Sequence, residues 1–299
     1  MGKAERASWV WSRWVFLLGV GVVLLVSGLP AANSQITYSR GQNIAPSFEG
    51  WMPNPDGTFE IFFGYFNRNF EERLHIPLGP GNNVEPGGPD WGQPTYFFPR
   101  RNLNIFTVTV PADFGDKELV WTVTAHGKTE RAYASLIPEF ILDQRIVFRQ
   151  HTGFDVQGEL EHNRVPTIRI EGNRQRMTSV GQSLALIAVA GDDGIPASKP
   201  ADGGPFRGSA HGLRVAWFVY RGAGEAVSFD PAQFKVYPDF KSGSPWTRGW
   251  EPSSPSANGT YPVRVTFSEP GTFVLRALAH DGGAASSQNV TVTVNAAGP

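Results

Sequence analysis

Residues 119–136 read LVWTVTAHGKTERAYASL, and this stretch decides how the fold is interpreted. Leu119, Trp121 and Val123 fall on every second position, so their side chains share one face, as in a half-buried β-strand. The next residues, His-Gly-Lys-Thr, predict a tight turn, and residues 131–136 predict the returning strand. We therefore expect a β-hairpin whose three alternating apolar residues enter a core.

The same two-residue period recurs along the chain, while the period of an amphipathic helix is nearly absent. In the first half it predicts strands at 59–66 and 104–110. In the second half it predicts seven strands, at 167–171, 183–190, 213–220, 227–229, 261–267, 272–280 and 289–294. We predict an all-β protein of two tandem β-sandwich domains, at 35–150 and 165–299, joined by a polar linker at 151–164.

The N-terminus has the features of an export signal. Three basic residues precede an apolar stretch at residues 15–26, and small residues follow it. This order predicts a signal peptide over residues 1–34 and a periplasmic or extracellular protein. The alternative is an uncleaved anchor, although the stretch is shorter than the roughly 20 residues of a spanning helix. Membrane contact is expected only through an uncleaved signal segment.

Composition excludes several classes of function. The 26 basic and 27 acidic residues give a net charge of -1, without the basic excess that a nucleic-acid-binding protein uses to neutralise phosphates. The chain has no cysteine, which excludes disulfides, thiolate metal sites and a cysteine nucleophile. A hydrophobic fraction of 40% is enough for a core. Because an exported chain without cysteine has no disulfides, its fold is expected to depend on packing alone.

The second half carries an ordered series of short motifs. They are GDDG at 191–194, VAW at 215–217, RGAG at 221–224, FSEPGTFVL at 267–275, DG at 281–282 and VTVTV at 290–294. This series resembles the PKD-like branch of bacterial immunoglobulin-like domains over residues 165–295. The resemblance implies an immunoglobulin-type sandwich and a non-catalytic spacer, adhesion or carbohydrate-associated role.

Two positions depart from that family. The Trp-x-Phe-Gly-Asp signature is replaced by WFVY at 217–220, and Phe273 stands where a tyrosine is usual, so a hydroxyl bond at that corner is lost. The first half resembles only uncharacterised exported bacterial proteins.

No catalytic motif is complete in the sequence. The Gly-x-Ser-x-Gly pattern starting at Gly181 fails at Ala185, and the six histidines are dispersed. Adjacent acidic pairs lie in polar, turn-like contexts, where solvated side chains are the default. We therefore expect a protein that is not an enzyme.

Acidic residues follow two strands of the second sandwich. Asp192 and Asp193 come after the second strand and Asp281 after the sixth, and an immunoglobulin-type sandwich brings those loops to one end. Three carboxylates together with loop carbonyls could bind Ca²⁺ there. The ordinary interpretation is turn capping by Asp before Gly, and ion pairs with Arg145, Arg149 or Arg164 are a further alternative.

Two loops combine aromatic side chains with arginine. Residues 77–94 hold five prolines and five glycines, with Trp91 near the end and Arg100 and Arg101 just beyond. Such pairs offer stacking faces and bidentate donors, and are enriched at binding sites. The second loop, in the C-terminal half, offers Trp246, Arg248 and Trp250. The alternative for both loops is that the aromatic rings fold back over the core.

These observations predict an exported, non-enzymatic binding or scaffold protein that recognises a glycan or envelope protein through its loops. The competing hypothesis is a secreted hydrolase in the first domain, with residues 77–94 as a lid. A polar cleft around Asp90, Arg100, His75 or His126 would favour the hydrolase.

Overall fold

The alternating apolar positions form strands throughout the computed structural model, which describes residues 38–143, 162–198, 212–233 and 258–298. These residues lie within one compact unit, Tyr38–Pro299. Their regular structure is all β apart from two single turns of 3-10 helix, at Pro138–Phe140 and Gly224–Ala226. The predicted all-β fold with two sandwiches is confirmed.

Within residues 38–143, the described part of the first half, there are eight strands. They are β1 (Ile44–Pro53), β2 (Phe59–Asn67), β3 (Leu74–His75), β4 (Asn82–Glu85), β5 (Tyr96–Phe97), β6 (Arg100–Val110), β7 (Leu119–Ala125) and β8 (Lys128–Ala134). One sheet has the order β1-β2-β6, a second has the order β4-β7-β8, and β3 pairs with β5. All these pairs are antiparallel.

The described residues of the second half also form eight strands. They are β9 (Thr167–Ile170), β10 (Gln175–Ser179), β11 (Leu184–Gly191), β12 (Arg214–Arg221), β13 (Val227–Asp230), β14 (Thr260–Phe267), β15 (Gly271–His280) and β16 (Ala285–Asn295). One sheet has the order β9-β11-β14-β13 and the other β12-β15-β16-β10. These are the A-B-E-D and C-F-G orders, with β10 added parallel to β16. The second half is an immunoglobulin-type sandwich.

Trp121 is the centre of the first core. It is fully buried, and its ring contacts Phe63, Phe97 and Phe106 at centroid distances of 5.9, 6.3 and 4.9 Å. The other two alternating residues of β7, Leu119 and Val123, are also buried, as their spacing predicts. Aromatic packing therefore joins the two larger sheets of the first half.

The second core is built around Trp217 on β12, the strand that carries the buried tryptophan of immunoglobulin domains. Its indole Nε1 donates to the carbonyl of Tyr261 at 3.4 Å. Phe273, at the position where the family that the sequence resembles has tyrosine, packs on Phe267 at 4.9 Å. An apolar contact thus occupies the corner, which is consistent with the expected loss of a hydroxyl bond.

Several details differ from the sequence predictions. The returning strand of the hairpin starts at Lys128 rather than at 131, because His126 and Gly127 both have positive φ and complete the turn in two residues. β4 lies inside the proline- and glycine-rich segment that was predicted to be a loop. β1, β3, β5 and β10 were not predicted either.

The predicted signal peptide and residues 151–161 of the predicted linker lie outside the described residues. Within the part of the chain that the structure describes, no helix is long and apolar enough to span a bilayer.

Candidate functional site

Residues 77–95, here called the clasp loop, are ordered by two buried amides. Asn82 accepts from the indole Nε1 of Trp121 at 3.0 Å and donates Nδ2 to the carbonyls of Ile76 and Pro94 at 3.1 and 2.8 Å. Gln93 is also fully buried, and its Oε1 accepts from the amide of Trp91 at 2.8 Å. Hydrogen bonds of buried side chains therefore hold the loop against the first core.

The outer side of the clasp loop binds the end of β12. Arg221 donates to both carboxylate oxygens of Asp90, at 3.0 and 2.7 Å, and to the carbonyl of Gln93 at 2.9 Å. The Tyr220 hydroxyl donates to the carbonyl of Gly92 at 2.6 Å. Arg221 holds the pKa of Asp90 below its ordinary value by this hydrogen bonding. The proline- and glycine-rich segment thus joins the two sandwiches.

A backbone hydrogen bond and two aromatic side chains also connect the two sandwiches at this junction. The amide of Thr95 donates to the carbonyl of Tyr220 at 3.1 Å. Tyr96 and Phe98 are buried in the second core, where Phe98 meets Phe218 at 5.7 Å. Burial raises the pKa of Tyr96, and its hydroxyl donates to Glu225 Oε1 at 2.7 Å. Two aromatic residues of the first half therefore belong to the core of the second.

The aromatic and arginine residues predicted to bind a ligand make contacts within the protein. The Trp91 ring packs on the first core, and its indole nitrogen is buried without a hydrogen-bond partner. Arg100 has a positive φ of 65° and lies over the rings of Phe66 and Phe70 at 4.7 and 3.9 Å. Arg101 forms a bidentate ion pair with Glu49 at 2.7 and 2.6 Å.

Ligand binding by Trp91, Arg100 and Arg101 stays a prediction, as does binding by Trp246, Arg248 and Trp250, which lie outside the described residues.

The three acidic residues of the predicted calcium site cap turns. Asp192 Oδ2 accepts from the amide of Gly194 at 3.1 Å, and Asp193 Oδ1 accepts from that of Ile195 at 2.9 Å. Asp281 Oδ1 accepts hydrogen bonds from the backbone amides of residues 283 and 284, both at 2.6 Å. Turn capping, the alternative to a metal site, is therefore present at all three carboxylates.

Asp281 and Asp192 nevertheless lie at one end of the sandwich. Burial raises the pKa of Asp281 to about 6, the two amides oppose this, and the charge of Asp192 adds to it. Asp193 Oδ2 accepts from the backbone amide of Arg164 at 3.0 Å, while Arg145 and Arg149 lie outside the described residues. Among the described residues, no three acidic or histidine side chains form a set that could hold a metal ion. Calcium binding stays a prediction.

A cleft of about 670 Å³ lies between the two sandwiches. One wall is the outer face of β1, β2 and β6, which contributes Met52, Phe62 and Thr107. The other is the outer face of β15 and β16, where Arg276 and Asn289 stand among smaller residues. The clasp loop and the end of β12 close one side with Asp90 and Arg221. Its volume is in the range of small-molecule binding sites.

Arg276 dominates the charge of the cleft. Its Nε donates to Asn289 Oδ1 at 2.8 Å and its Nη1 to the carbonyl of Ile105 at 3.0 Å, while the guanidinium lies 3.4 Å from the ring centroid of Tyr220. Burial and, to a smaller extent, Arg221 lower the pKa of Arg276, whereas Tyr220 raises it. No described carboxylate lies within ion-pair distance of it.

The residues named for the hydrolase hypothesis are dispersed. Asp90 lines the cleft, but Arg100, His75 and His126 do not. His126 Nε2 contacts Glu72 at 3.1 Å on the exposed surface, and burial lowers the pKa of His75 in the short β3–β5 pair. Of the described residues that line the cleft, Asp90 is the one carboxylate and none is a histidine.

Sequence reasoning missed the cleft and the residues that build it. Arg276 and Asn289 are outward-facing polar residues of strands β15 and β16, where solvent exposure is the ordinary expectation. Asp90 and Arg221 are 131 residues apart, and nothing in their local patterns pairs them. The one available signal was the length and composition of the clasp loop, which indicated either a functional segment or a family-specific insertion.

Comparisons with known proteins assign no family. No protein-family model and no curated protein matches the chain. Solved structures with local similarity include a mutant form of the titin M10–obscurin-like 1 Ig complex, at 14% identity over 46% of this chain and all of that one, with a TM-score of 0.25. Domains 4 and 5 of the S-layer protein SbsC match at 10% identity over 60% of this chain and 66% of that one, also with a TM-score of 0.25.

The Yersinia pseudotuberculosis adhesin InvE matches at 13% identity over 86% of this chain and 60% of that one, with a TM-score of 0.21. At these scores the similarities carry no argument about function. The immunoglobulin-type assignment follows from the strand order alone.

Proposed function

We propose that the chain is an exported, non-enzymatic binding or scaffold protein of the cell envelope, with the cleft between its sandwiches as the place where a partner binds. The observation that carries this proposal is the construction of the cleft. Its two walls come from different sandwiches, and the clasp loop fixes one against the other through Asp90, Thr95 and their partners on β12. A preformed cleft of this kind favours binding, because the protein loses little conformational entropy when the ligand binds.

The groups that line the cleft support binding rather than hydrolysis. A glycosidase requires two carboxyl groups across its substrate, and a nucleophilic hydrolase requires a base beside its nucleophile. Asp90, the one carboxylate among the described lining residues, is held in a bidentate ion pair with Arg221. The hydrogen bonds from Arg221 lower the pKa of Asp90, so this carboxylate stays ionised and its oxygens stay bonded to Arg221. The remaining lining groups are amides, hydroxyls, apolar side chains and Arg276.

The test is retention of envelope material by the immobilised exported chain. The variant Ser287→Trp places a large ring at an exposed position that lines the cleft, and Tyr133→Ser alters an exposed residue of β8 remote from it. We expect envelope glycan or protein to be retained by the unmodified chain and by Tyr133→Ser, but not by Ser287→Trp. Turnover of glycan or peptide substrates that Ser287→Trp abolishes would establish the hydrolase instead.

A further inference from the structure

The cleft presents a cation that no described carboxylate neutralises. Arg276 donates a hydrogen bond from Nε to Asn289 and one from Nη1 to a backbone carbonyl of β6. Both partners are neutral, so the side chain is held in position while its positive charge is not compensated. Arg221 stands on the same side of the cleft, but both oxygens of Asp90 are bonded to it. Glu60 accepts a hydrogen bond from Thr107 and is not among the residues that line the cleft. A ligand with a negative group therefore has one fixed position at which to bind, beside Arg276.

The surroundings of Arg276 are rich in hydrogen-bonding side chains. Ser287, Asn289 and Thr291 follow one another on the outward face of β16, and all three line the cleft. Opposite them stand apolar groups, among which Phe62 on β2 is partly exposed. A sugar ring has hydroxyls at its rim and apolar faces, so these two walls match its two kinds of surface.

The geometry points to a carboxylated oligosaccharide as the ligand of the cleft, and we propose that its carboxylate binds Arg276 while its hydroxyls bind the polar row on β16. This inference rests on the proposed function and names the ligand class for the same site. Arg276 acts as the anchor because its guanidinium charge is held in place and its Nη2 is engaged by neither Asn289 nor β6, so it can donate to a carboxylate.

The cleft offers an extended peptide few backbone groups with which to pair. One recurring way in which an extended peptide binds is by adding a strand to an open sheet edge. The edge strand β12 already receives the amide of Thr95 at the carbonyl of Tyr220. On β6, the carbonyl of Ile105 is occupied by Arg276. An acidic peptide is therefore treated as an outcome of the test.

The experiment is isothermal titration of the exported chain with trigalacturonic acid and with the neutral galactose trisaccharide. The variant Arg276→Gln removes the charge but keeps a side chain that can hydrogen bond, and Arg131→Gln removes an exposed arginine of β8 as the matched control. We expect binding of the acid sugar only, weakened at least about tenfold by Arg276→Gln and unchanged by Arg131→Gln, because hydrogen bonds to charged groups are among the strongest. Affinity should also fall as the salt concentration rises.

Further arms separate the remaining possibilities. Because Arg276→Gln also loses a contact with β6, Ser287→Trp serves as a second variant that occludes the cleft and leaves that contact in place, and it too should abolish binding. Failure of the acid sugar to bind overturns the inference, and so does preferential binding of a hexaglutamate peptide, of inorganic sulfate or of phosphate. If envelope material is still retained in a manner sensitive to Ser287→Trp, the proposed function survives that failure. Absence of any retention overturns both.

Discussion

The carboxylate of Asp90 and the guanidinium of Arg221 meet in a two-point ion pair, at 2.7 and 3.0 Å, across 131 residues of chain. About half of the Asp90 side chain is exposed, while Arg221 is largely covered. The pair is the polar side of a junction whose apolar side is formed by Tyr96 and Phe98. The consequences of this arrangement can be measured.

Asp90→Asn is expected to lower the free energy of unfolding by about 0.5–1 kcal/mol at pH 7, since a partly exposed ion pair contributes modestly. The pKa of this carboxyl is held below its ordinary 3.8, so the stabilisation is present above about pH 4 and disappears as the pH falls through the folded-state value. Urea unfolding at pH 7 and pH 3 measures both. Glu171→Gln, which alters the exposed 3.7 Å pair with Arg169, should have no measurable effect. An unchanged difference between wild type and Asp90→Asn at pH 3 would contradict the assignment.

Asn82→Ala is expected to destabilise the protein by about 2–4 kcal/mol, because it removes the buried hydrogen bonds to the indole of Trp121 and the carbonyl of Pro94 and the partly buried one to the carbonyl of Ile76. Chemical unfolding followed by circular dichroism gives the value. The neighbouring partly buried residue provides the control, and Asn83→Ala should change stability by less than about 0.5 kcal/mol. Equal effects of the two substitutions would mean that Asn82 does not fasten the clasp loop.

Gly224→Ala tests the contact between the halves by shape rather than charge. A Cβ at Gly224 would overlap the ring of Tyr96, which is 3% exposed and cannot move outward without opening the core. We expect a loss of about 1–3 kcal/mol. At Gly81 the nearest atom to an added Cβ is 3.7 Å away, so Gly81→Ala serves as the matched substitution with little effect. A harmless Gly224→Ala would show that Tyr96 packs elsewhere.

Asp281 predicts a dependence of stability on pH. Burial raises its folded-state pKa to about 6 from an ordinary 3.8, so the folded protein holds this proton more tightly than the unfolded chain. The stabilisation is complete below about pH 4 and is lost as the pH rises to about 6, by about 2–3 kcal/mol. Asp281→Asn keeps an oxygen for the two backbone amides and should abolish this decline. Unfolding measured from pH 4 to pH 7 reports the difference, and the same decline in both proteins would refute the assignment.

Calcium is expected to raise the melting temperature if the carboxylates of Asp192, Asp193 and Asp281 hold it, because an ion that binds only the folded state stabilises it. The measurement is a thermal melt at pH 7.5 with Ca²⁺ and with EDTA, together with calorimetric titration. Asp116→Asn, at an exposed turn of the first half, is the control for a general effect of charge. An identical melting temperature in both conditions and no heat of binding would show that the protein does not bind calcium.

The sequence predicts strands well where apolar residues alternate. β11, β14 and β15 each lie within one residue of their expected bounds, since one face of each strand packs in the core and the other does not. β10 was missed because its residues, Gln175 to Ser179, are partly or fully exposed and their pairing with β16 is made by the backbone. β4 was missed because prolines and glycines surround its four residues.

The candidate site was harder to predict for a physical reason. Trp91, Arg100 and Arg101 have the composition of a binding surface, but composition does not reveal whether a ring faces solvent or an arginine already has a partner. Phe66 and Phe70 under Arg100, and Glu49 beside Arg101, are close only after the strands pair. The cleft likewise requires two sheets from different halves, and no local pattern specifies that arrangement.

The clasp loop also constrains the order in which the molecule is completed. Synthesis proceeds from the N-terminus, so Asp90 is present long before Arg221 exists. Until β12 has been made, the carbonyls of Gly92 and Gln93 and the amide of Thr95 lack the partners they have in the finished structure and must be hydrated. A chain that stops before β12 would therefore leave Tyr96 and Phe98 without their apolar cover, and such a fragment is exposed to aggregation and proteolysis.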